Sequence, residues 1–517
     1  MGREVESAQY QGGTLVEGRL TDLGTPWLSM TAGRYYGIHE SLAEPHPDTS
    51  EPVGRLARSW EGSDDATTWT FSLQEGVTWH DGAPFTAEDV RFSYLLYSHF
   101  GWWVPVEPAN VEVVDNVTIR FEFEQPSPLF TDVGTIIFPI VAEHVIGTLS
   151  EEELENIELI PANTGTDPSA VVGTGPFQLK EIVPGDHVTV VRYDSYWDGP
   201  PHLDAYVIKA VASSDALITQ LKAGDIDVVG GLRTGVSDIN PGSAQELVGS
   251  DVAIVDYQTT LHVFYATNLD PEKTTLFQDL RVRQALLHAV DRQALIEAVY
   301  FGYGEIAHSL LSPLTGHEPE TIVTRYPYDP DLAKALLDEA GWTMGDNNVR
   351  QKDGQPLSFK ILTEGGNASA EGCALILQEQ WRLVAIEATI EAAQPSVWRE
   401  RYSETHDWDV AIARLYGSDI ATLKRQFHCE DYGKGGGNPT KYCNPEADLV
   451  LEQALSELDR ERRLQLLSEY LNIVIADLPV GPLVSPSGVG AVNKRVHNLY
   501  QNGVNGNFNM ETWWVER

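Results

Sequence analysis

Residues 52–94 read PVGRLARSWEGSDDATTWTFSLQEGVTWHDGAPFTAEDVRFSY, and they set out a small α+β module. Trp69, Phe71 and Leu73 alternate with Thr70 and Ser72, the period of a half-buried strand. Asp81-Gly82 marks a tight turn and Pro84 stiffens its exit. Thr86 then supplies a hydroxyl at a helix start and Asp89, three residues on, a carboxylate in its first turn, close to a capping box. Val90, Tyr94 and Tyr97 follow on one helical face.

Between about 45 and 167 the chain is rich in strands and turns, with strict alternation in VTIRFEF (117–123). Further on, strand and helix patterns alternate. HVTVVRY (187–193) and YVIKAV (206–211) read as strands, and Ser213 caps a helix that runs through Lys222 to Gly224 before the short strand IDVV (226–229). DLRVRQALLHAV (279–290) is helical, Asp291 starts a second helix, and DPDLAKALLDEAGW (329–342) is a third, closed by Gly341. A helix near 370–385 lies between these and the strands IEATIE (386–391) and DVAIARL (409–415). The order is that of an α/β protein built around a sheet.

At 517 residues the chain is too long for one core, and about 100–200 residues per domain gives about three. Hydrophobic residues make up 42% and charged residues 21%, a globular balance. The net charge of −41, from 76 acidic against 35 basic residues, argues against nucleic acid and against anionic lipid as partners, since both need clustered Lys and Arg. The acidic residues are scattered, as in a solvated coat. No uninterrupted apolar run is long enough for a membrane span, and the start MGREVESAQYQGGTL lacks the basic-then-apolar pattern of a secretory signal. A cytosolic protein and a secreted one whose signal has been removed both fit that start.

No HExxH, G-x-S-x-G or G-x-x-x-x-G-K-[ST] occurs. Gly173-Thr174-Gly175 lacks the third glycine of a dinucleotide fingerprint, and GKGGGN (433–438) lacks the Lys-Ser/Thr ending of a phosphate loop, so both read as turns. The 14 histidines include no helical pair at metal-ligand spacing, and His80 beside Asp81 reads as a turn residue. No catalytic residue, metal or cofactor is expected. Of three cysteines, Cys429 and Cys443 bracket CEDYGKGGGNPTKYC, and no CxxC exists. In an oxidising compartment a disulfide would close that loop; the alternative is two unpaired thiols. Cys373 is expected to be a buried free thiol.

The opening segment, from LARSWE to FTAEDVRFS, resembles the signature of the large extracellular solute-binding proteins that feed ABC importers, family 5, the dipeptide- and oligopeptide-binding group. The likeness continues in order through GTGPFQL (173–179), VRYDSYWDGPPHLDAYVIKAV (191–211), LITQLKAGDIDVV (217–229), LRVRQALLHAVDRQALIEAVYFGYG (280–304), YPYDPDLAKALLDEAGW (326–342) and YCNPEADLVLEQAL (442–455). The resemblance implies a type II-like periplasmic-binding-protein clam shell, two α/β lobes plus an inserted α+β domain. Lobe I would combine residues 1–44, 168–262 and 483–517, the insertion would be 45–167, and lobe III 263–482. Crossings near 262–266 and 482–487 would form a hinge. It also implies an extracytoplasmic receptor, periplasmic or on the cell surface and free or lipid-anchored, acting as a monomer. Such a receptor would capture a short peptide and deliver it to ABC permease subunits. An oligosaccharide or another small polar solute, such as a nickel chelate or an opine, is the alternative within the fold; a hydrolase is a remote one.

Binding residues follow partly from the residues and partly from the likeness. Adjacent Trp102 and Trp103 cannot both face one core if they lie on a strand, so one lines a cleft or covers a surface. The family's N-terminal region supplies a ligand-facing edge, which points to Trp27, Met30 and Thr31. In peptide-binding relatives an acidic residue just past the strand at 409–415 meets the ligand's ammonium group. Asp419 falls there, although the spacing from Asp409 is one residue longer and Ile420 replaces the family's Pro. Arg401 and Arg414 are suited to a ligand carboxylate, or to surface ion pairs, and Trp398 and Tyr416 to the walls of the same pocket.

Overall fold

A computed structural model describes residues 12–20, 37–47, 51–99, 110–131, 138–148, 171–230, 239, 241–247, 249–311, 322–345, 347–416, 420–433, 437–499 and 506–516. The chain divides into two units, Met1–Tyr257 with Gly488–Arg517, and Gln258–Ser487. The chain therefore passes between units at 257/258 and 487/488, next to the stretches 262–266 and 482–487 expected as crossings. The strands Leu261–Thr267 and Val480–Pro486, which pair with each other at Val263 and Val484, both lie in the second unit.

In the first unit, a seven-stranded sheet runs in the order Val252–Tyr257, Gly488–Asn493, Val228–Val229, Thr14–Arg19, Ala205–Ala210, His187–Arg192 and Phe177–Val183. Thr14–Arg19 is parallel to both Ala205–Ala210 and Val228–Val229, and the helix Ser214–Ala223 makes the crossover. Its ends follow from the sequence. The Ser213 hydroxyl accepts from the Ala216 N–H at 3.2 Å, and Gly224 takes φ +78° as the left-handed cap. Leu15, Phe177, Val190, Tyr206, Ile208 and Trp513 form the core against this sheet.

A second core in the same unit belongs to the opening signature. A four-stranded antiparallel sheet, Ala57–Gly62, Thr68–Leu73, Thr118–Glu122 and Asn110–Asp115, packs with the helix Ala87–His99. Val90, Tyr94 and Tyr97 are all buried. The helix start is a reciprocal cap: the Thr86 hydroxyl accepts from the Glu88 N–H at 3.3 Å, and Asp89 accepts the Thr86 N–H at 2.9 Å. Asp89 also accepts from the Glu143 N–H and from the Trp79 indole. This core takes in Leu42, Ala43 and Val172, just beyond the 45–167 limits.

His80 ties the signature to GTGPF. Its Nε2 donates to the Gly175 carbonyl at 2.9 Å and its Nδ1 accepts the Gly173 N–H at 3.2 Å; burial lowers its pKa to about 4. The glycines are steric requirements. A Cβ on Gly173 would lie 1.8 Å from the Ile38 carbonyl oxygen, and one on Gly175 2.3 Å from that of Gly37.

The second unit holds a six-stranded sheet in the order Gly304–Ile306, Val480–Pro486, Leu261–Thr267, Val410–Tyr416, Ser358–Glu364 and Glu387–Ala393. Ser358–Glu364 is parallel to both its neighbours. The helix Ala368–Arg382 crosses over between the last two strands and buries Trp381 against Tyr265 and Phe359. Asp279, Asp291 and Asp329 each cap the helix that the sequence starts at them. A π-helical turn, Glu400–Thr405, continues the short helix Pro395–Arg399; no sequence pattern announced it. Cys429 and Cys443 are joined by a disulfide, and Cys373 is a buried free thiol. Among the described residues no helix is long and apolar enough to cross a membrane.

Candidate functional site

In the second unit, Ser358–Glu364 and Val410–Tyr416 finish at the sheet edge where Leu261–Thr267 begins and Val480–Pro486 ends, as the pairs Leu261–Tyr416 and Val263–Val484 require. The carboxyl edge of parallel strands is where open α/β sheets place ligands. An open cavity of about 620 Å³, its solvent-filled mouth included, lies beside the first strands of that edge. Thr259, His262, His308, Ser309 and Ser485 supply most of its polar lining. His262 Nδ1 is 2.9 Å from the Ser485 hydroxyl, its Nε2 is buried without a partner among the described residues, and burial lowers its pKa to about 4. His308 is also lowered to about 4, by burial and then by Arg292 and Arg325. Both imidazoles are therefore neutral near pH 7.

The first unit has a smaller cavity lined by Glu40, Glu44, Arg55, Tyr196 and Glu511 among others. Glu40 is 8% exposed, and it accepts from the Tyr196 hydroxyl at 2.7 Å and the Trp197 indole at 3.0 Å. Burial raises its pKa to about 7, against the opposing pull of Arg55 and of these donors. Arg55 is paired with Glu44 and lies 3.8 Å from Glu511. Among the described residues no group of three His, Cys, Asp or Glu is arranged to hold a metal.

Of the residues singled out in the sequence, Trp27, Met30, Thr31, Trp102, Trp103 and Asp419 lie outside the described residues, as does the side chain of Tyr416. Arg414 forms an ion pair with Glu364. Arg401 donates to both Glu391 oxygens, at 2.8 and 3.3 Å, and to the Asp407 carbonyl. Trp398 stacks on Tyr402 with centroids 4.8 Å apart. None of Trp398, Arg401 and Arg414 lines either cavity. Both guanidinium groups already hold carboxylates of this chain, so either would take a ligand carboxylate only by exchange.

The pattern for bacterial extracellular solute-binding proteins, family 5 Middle, matches residues 51–432. The chain belongs to this family. It is 28% identical to the oligopeptide-binding protein AppA of Bacillus subtilis, over 98% of this chain and 92% of that protein. The solved structure of Bacillus subtilis AppA in complex with a nonapeptide is similar with a TM-score of 0.76, at 26% identity over 98% of this chain and 100% of that one. The heme-binding protein A of Haemophilus influenzae is 27% identical, over 90% of this chain and 84% of that protein. The mixed α/β fold expected of a family 5 protein is the one observed.

The polar lining of this family 5 protein's larger cavity was not legible beforehand. His262 sits in a strand of apolar neighbours, and Ser309 and Ser485 belong to no motif. Only the hydrophobic run around His262 hinted that its ring would be buried.

Proposed function

We propose that this chain is the extracytoplasmic receptor of an ABC importer for short peptides. The observation that carries this reading is the match to AppA, which spans nearly the whole chain in sequence and in fold and whose solved structure holds a nonapeptide. The receptor works as a monomer, free or lipid-anchored outside the cytoplasmic membrane, and hands its solute to the permease subunits. It catalyses no covalent step and needs no cofactor; tight, reversible capture is the whole of its chemistry. Main-chain hydrogen bonds to an extended peptide give affinity without demanding one side-chain sequence, and ordered water fills what the side chains leave.

Asp419 is assigned to the ligand's ammonium group, with Trp27, Met30, Thr31, Trp102, Trp103, Trp398 and Tyr416 as surrounding walls. A thermal-shift screen of short peptides against malto- and cello-oligosaccharides tests the solute class. A peptide present at a hundred times its dissociation constant adds about 2.7 kcal/mol to stability. Stabilisation by peptides and not by sugars is expected. Stabilisation by sugars alone would replace the peptide reading with the sugar one.

A further inference from the structure

We propose that the cavity at the start of strand Leu261–Thr267 is an anion subsite that receives a free carboxylate of the solute. On the peptide reading, on which this rests, that carboxylate is the peptide's C-terminal one. The first support is a buried cation without a counter-ion. Arg292 is 5% exposed, and its guanidinium donates to three backbone carbonyls: Ala307 at 2.7 Å, Tyr326 at 2.7 Å and Pro482 at 3.2 Å. No carboxylate lies within ion-pair range of it among the described residues. Burial lowers its pKa to about 10, which leaves it charged at neutral pH. A buried charge so placed favours an anion nearby.

The second support is the direction in which that charge is relayed. Ala307, whose carbonyl takes the Arg292 N–H, lines the cavity with His308 and Ser309. In a trans peptide the His308 N–H points opposite to the Ala307 oxygen, and a hydrogen bond to the oxygen polarises the N–H. Neither the His308 nor the Ser309 N–H donates to any group among the described residues. Backbone N–H groups left without a partner and polarised from the far side of the peptide are available to an anion.

The third support is His262. When the Ser485 hydroxyl donates to Nδ1, the neutral ring carries its proton on Nε2, the buried atom without a described partner. That leaves an unpaired, buried donor on a ring that lines the cavity. Glu305, exposed at the cavity's rim, opposes an incoming anion. It therefore favours a singly charged carboxylate over a dianionic phosphate.

The test uses the full chain and two variants. His262→Asn keeps a polar atom near Nδ1 and removes the Nε2 donor, whereas His262→Gln returns an amide nitrogen to that place. Calorimetry with tetraalanine and with its C-terminal amide should show the amide binding the wild type at least about tenfold more weakly, as for loss of a hydrogen-bonded charge. That acid-to-amide ratio should shrink toward one in His262→Asn and be largely kept in His262→Gln. Equal binding of acid and amide by the wild type overturns the subsite while leaving the peptide reading standing, as does a ratio that His262→Asn does not change. If neither peptide binds, the peptide reading fails, and acetate titrated into histidine-¹⁵N-labelled protein decides the subsite alone. Saturable shifts of the His262 and His308 ring signals support it, and unmoved signals overturn it. The same spectra show whether each variant is folded.

Discussion

Two carboxylates in this chain are assigned opposite tasks, and each assignment makes its own prediction. Asp419 is assigned a charged partner that arrives with the ligand. Asp419→Asn keeps the size and removes the charge, so it should weaken peptide binding by about 2–5 kcal/mol. N-acetylation of the peptide should weaken binding to the wild type but add little in the variant. Calorimetry over both proteins and both peptides gives the coupling energy, and a value of zero with strong peptide binding rejects the assignment. Glu40 is held where ionisation is unfavourable. Its folded pKa, about 7, lies above the ordinary 4.5. Below about pH 4.5 the carboxyl is neutral folded and unfolded, and its contribution to stability is fully present. As the pH rises toward 7 the unfolded chain ionises first, and that contribution is lost, by an amount on the order of 3 kcal/mol. Glu40→Gln cannot ionise, so its stability relative to wild type should rise between about pH 4.5 and 7 and level off above. Denaturant titrations across that range check it; a difference that does not vary with pH would contradict the assigned burial. Neither Glu40 nor His262 was legible in sequence. Their character comes from neighbours more than a hundred residues away, Tyr196 for one and Ser485 for the other.

The elements were far easier to read, because their limits rest on contacts between near neighbours. Ser213, Asp279, Asp291 and Asp329 cap the helices expected of them. The alternating strands at Thr68–Leu73 and Thr118–Glu122 bury Phe71, Leu73, Ile119 and Phe121, while Trp69, on the same alternation, is only half-buried. The π-helical turn at Glu400–Thr405 was not legible, since it depends on tertiary packing and not on a residue pattern. Gly173 shows how an element-level pattern hides a steric cause: read as a turn, it is also where two backbone segments touch. Gly173→Ala should destabilise the first unit by about 1–3 kcal/mol or more, because the added Cβ meets backbone that has no rotamer to change. Gly76→Ala, where nothing lies within 4 Å of a Cβ, carries only the penalty of its φ of +77° and serves as control. Equal melting temperatures for the two variants would contradict the packing seen at Ile38. The disulfide belongs to this scale as well. It closes a loop of sequence separation 14 that is rich in glycine. Cys429→Ser with Cys443→Ser should lower stability by roughly 3 kcal/mol on the loop-entropy account. An unchanged denaturation midpoint would show the loop to be held by its other contacts, such as Lys441 with Asp270.

At the scale of the molecule, the sequence carried the family through the order of its blocks, and the division into two α/β units follows from where strands pair. The units divide at 257/258 and 487/488, beside the two strands that pair across Val263 and Val484. What the order of blocks leaves open is the solute: relatives of similar identity are named for oligopeptide and for heme. The central claim, a receptor that holds short peptides and releases them unchanged, is most directly tested by native mass spectrometry of the protein isolated from its own host, followed by release of whatever it retains. The account predicts an added mass that resolves, after denaturation, into short peptides with free amino and carboxyl termini. Release of a sugar, a metal chelate or a porphyrin instead of peptide, or recovery of peptide only as cleavage products, would contradict it.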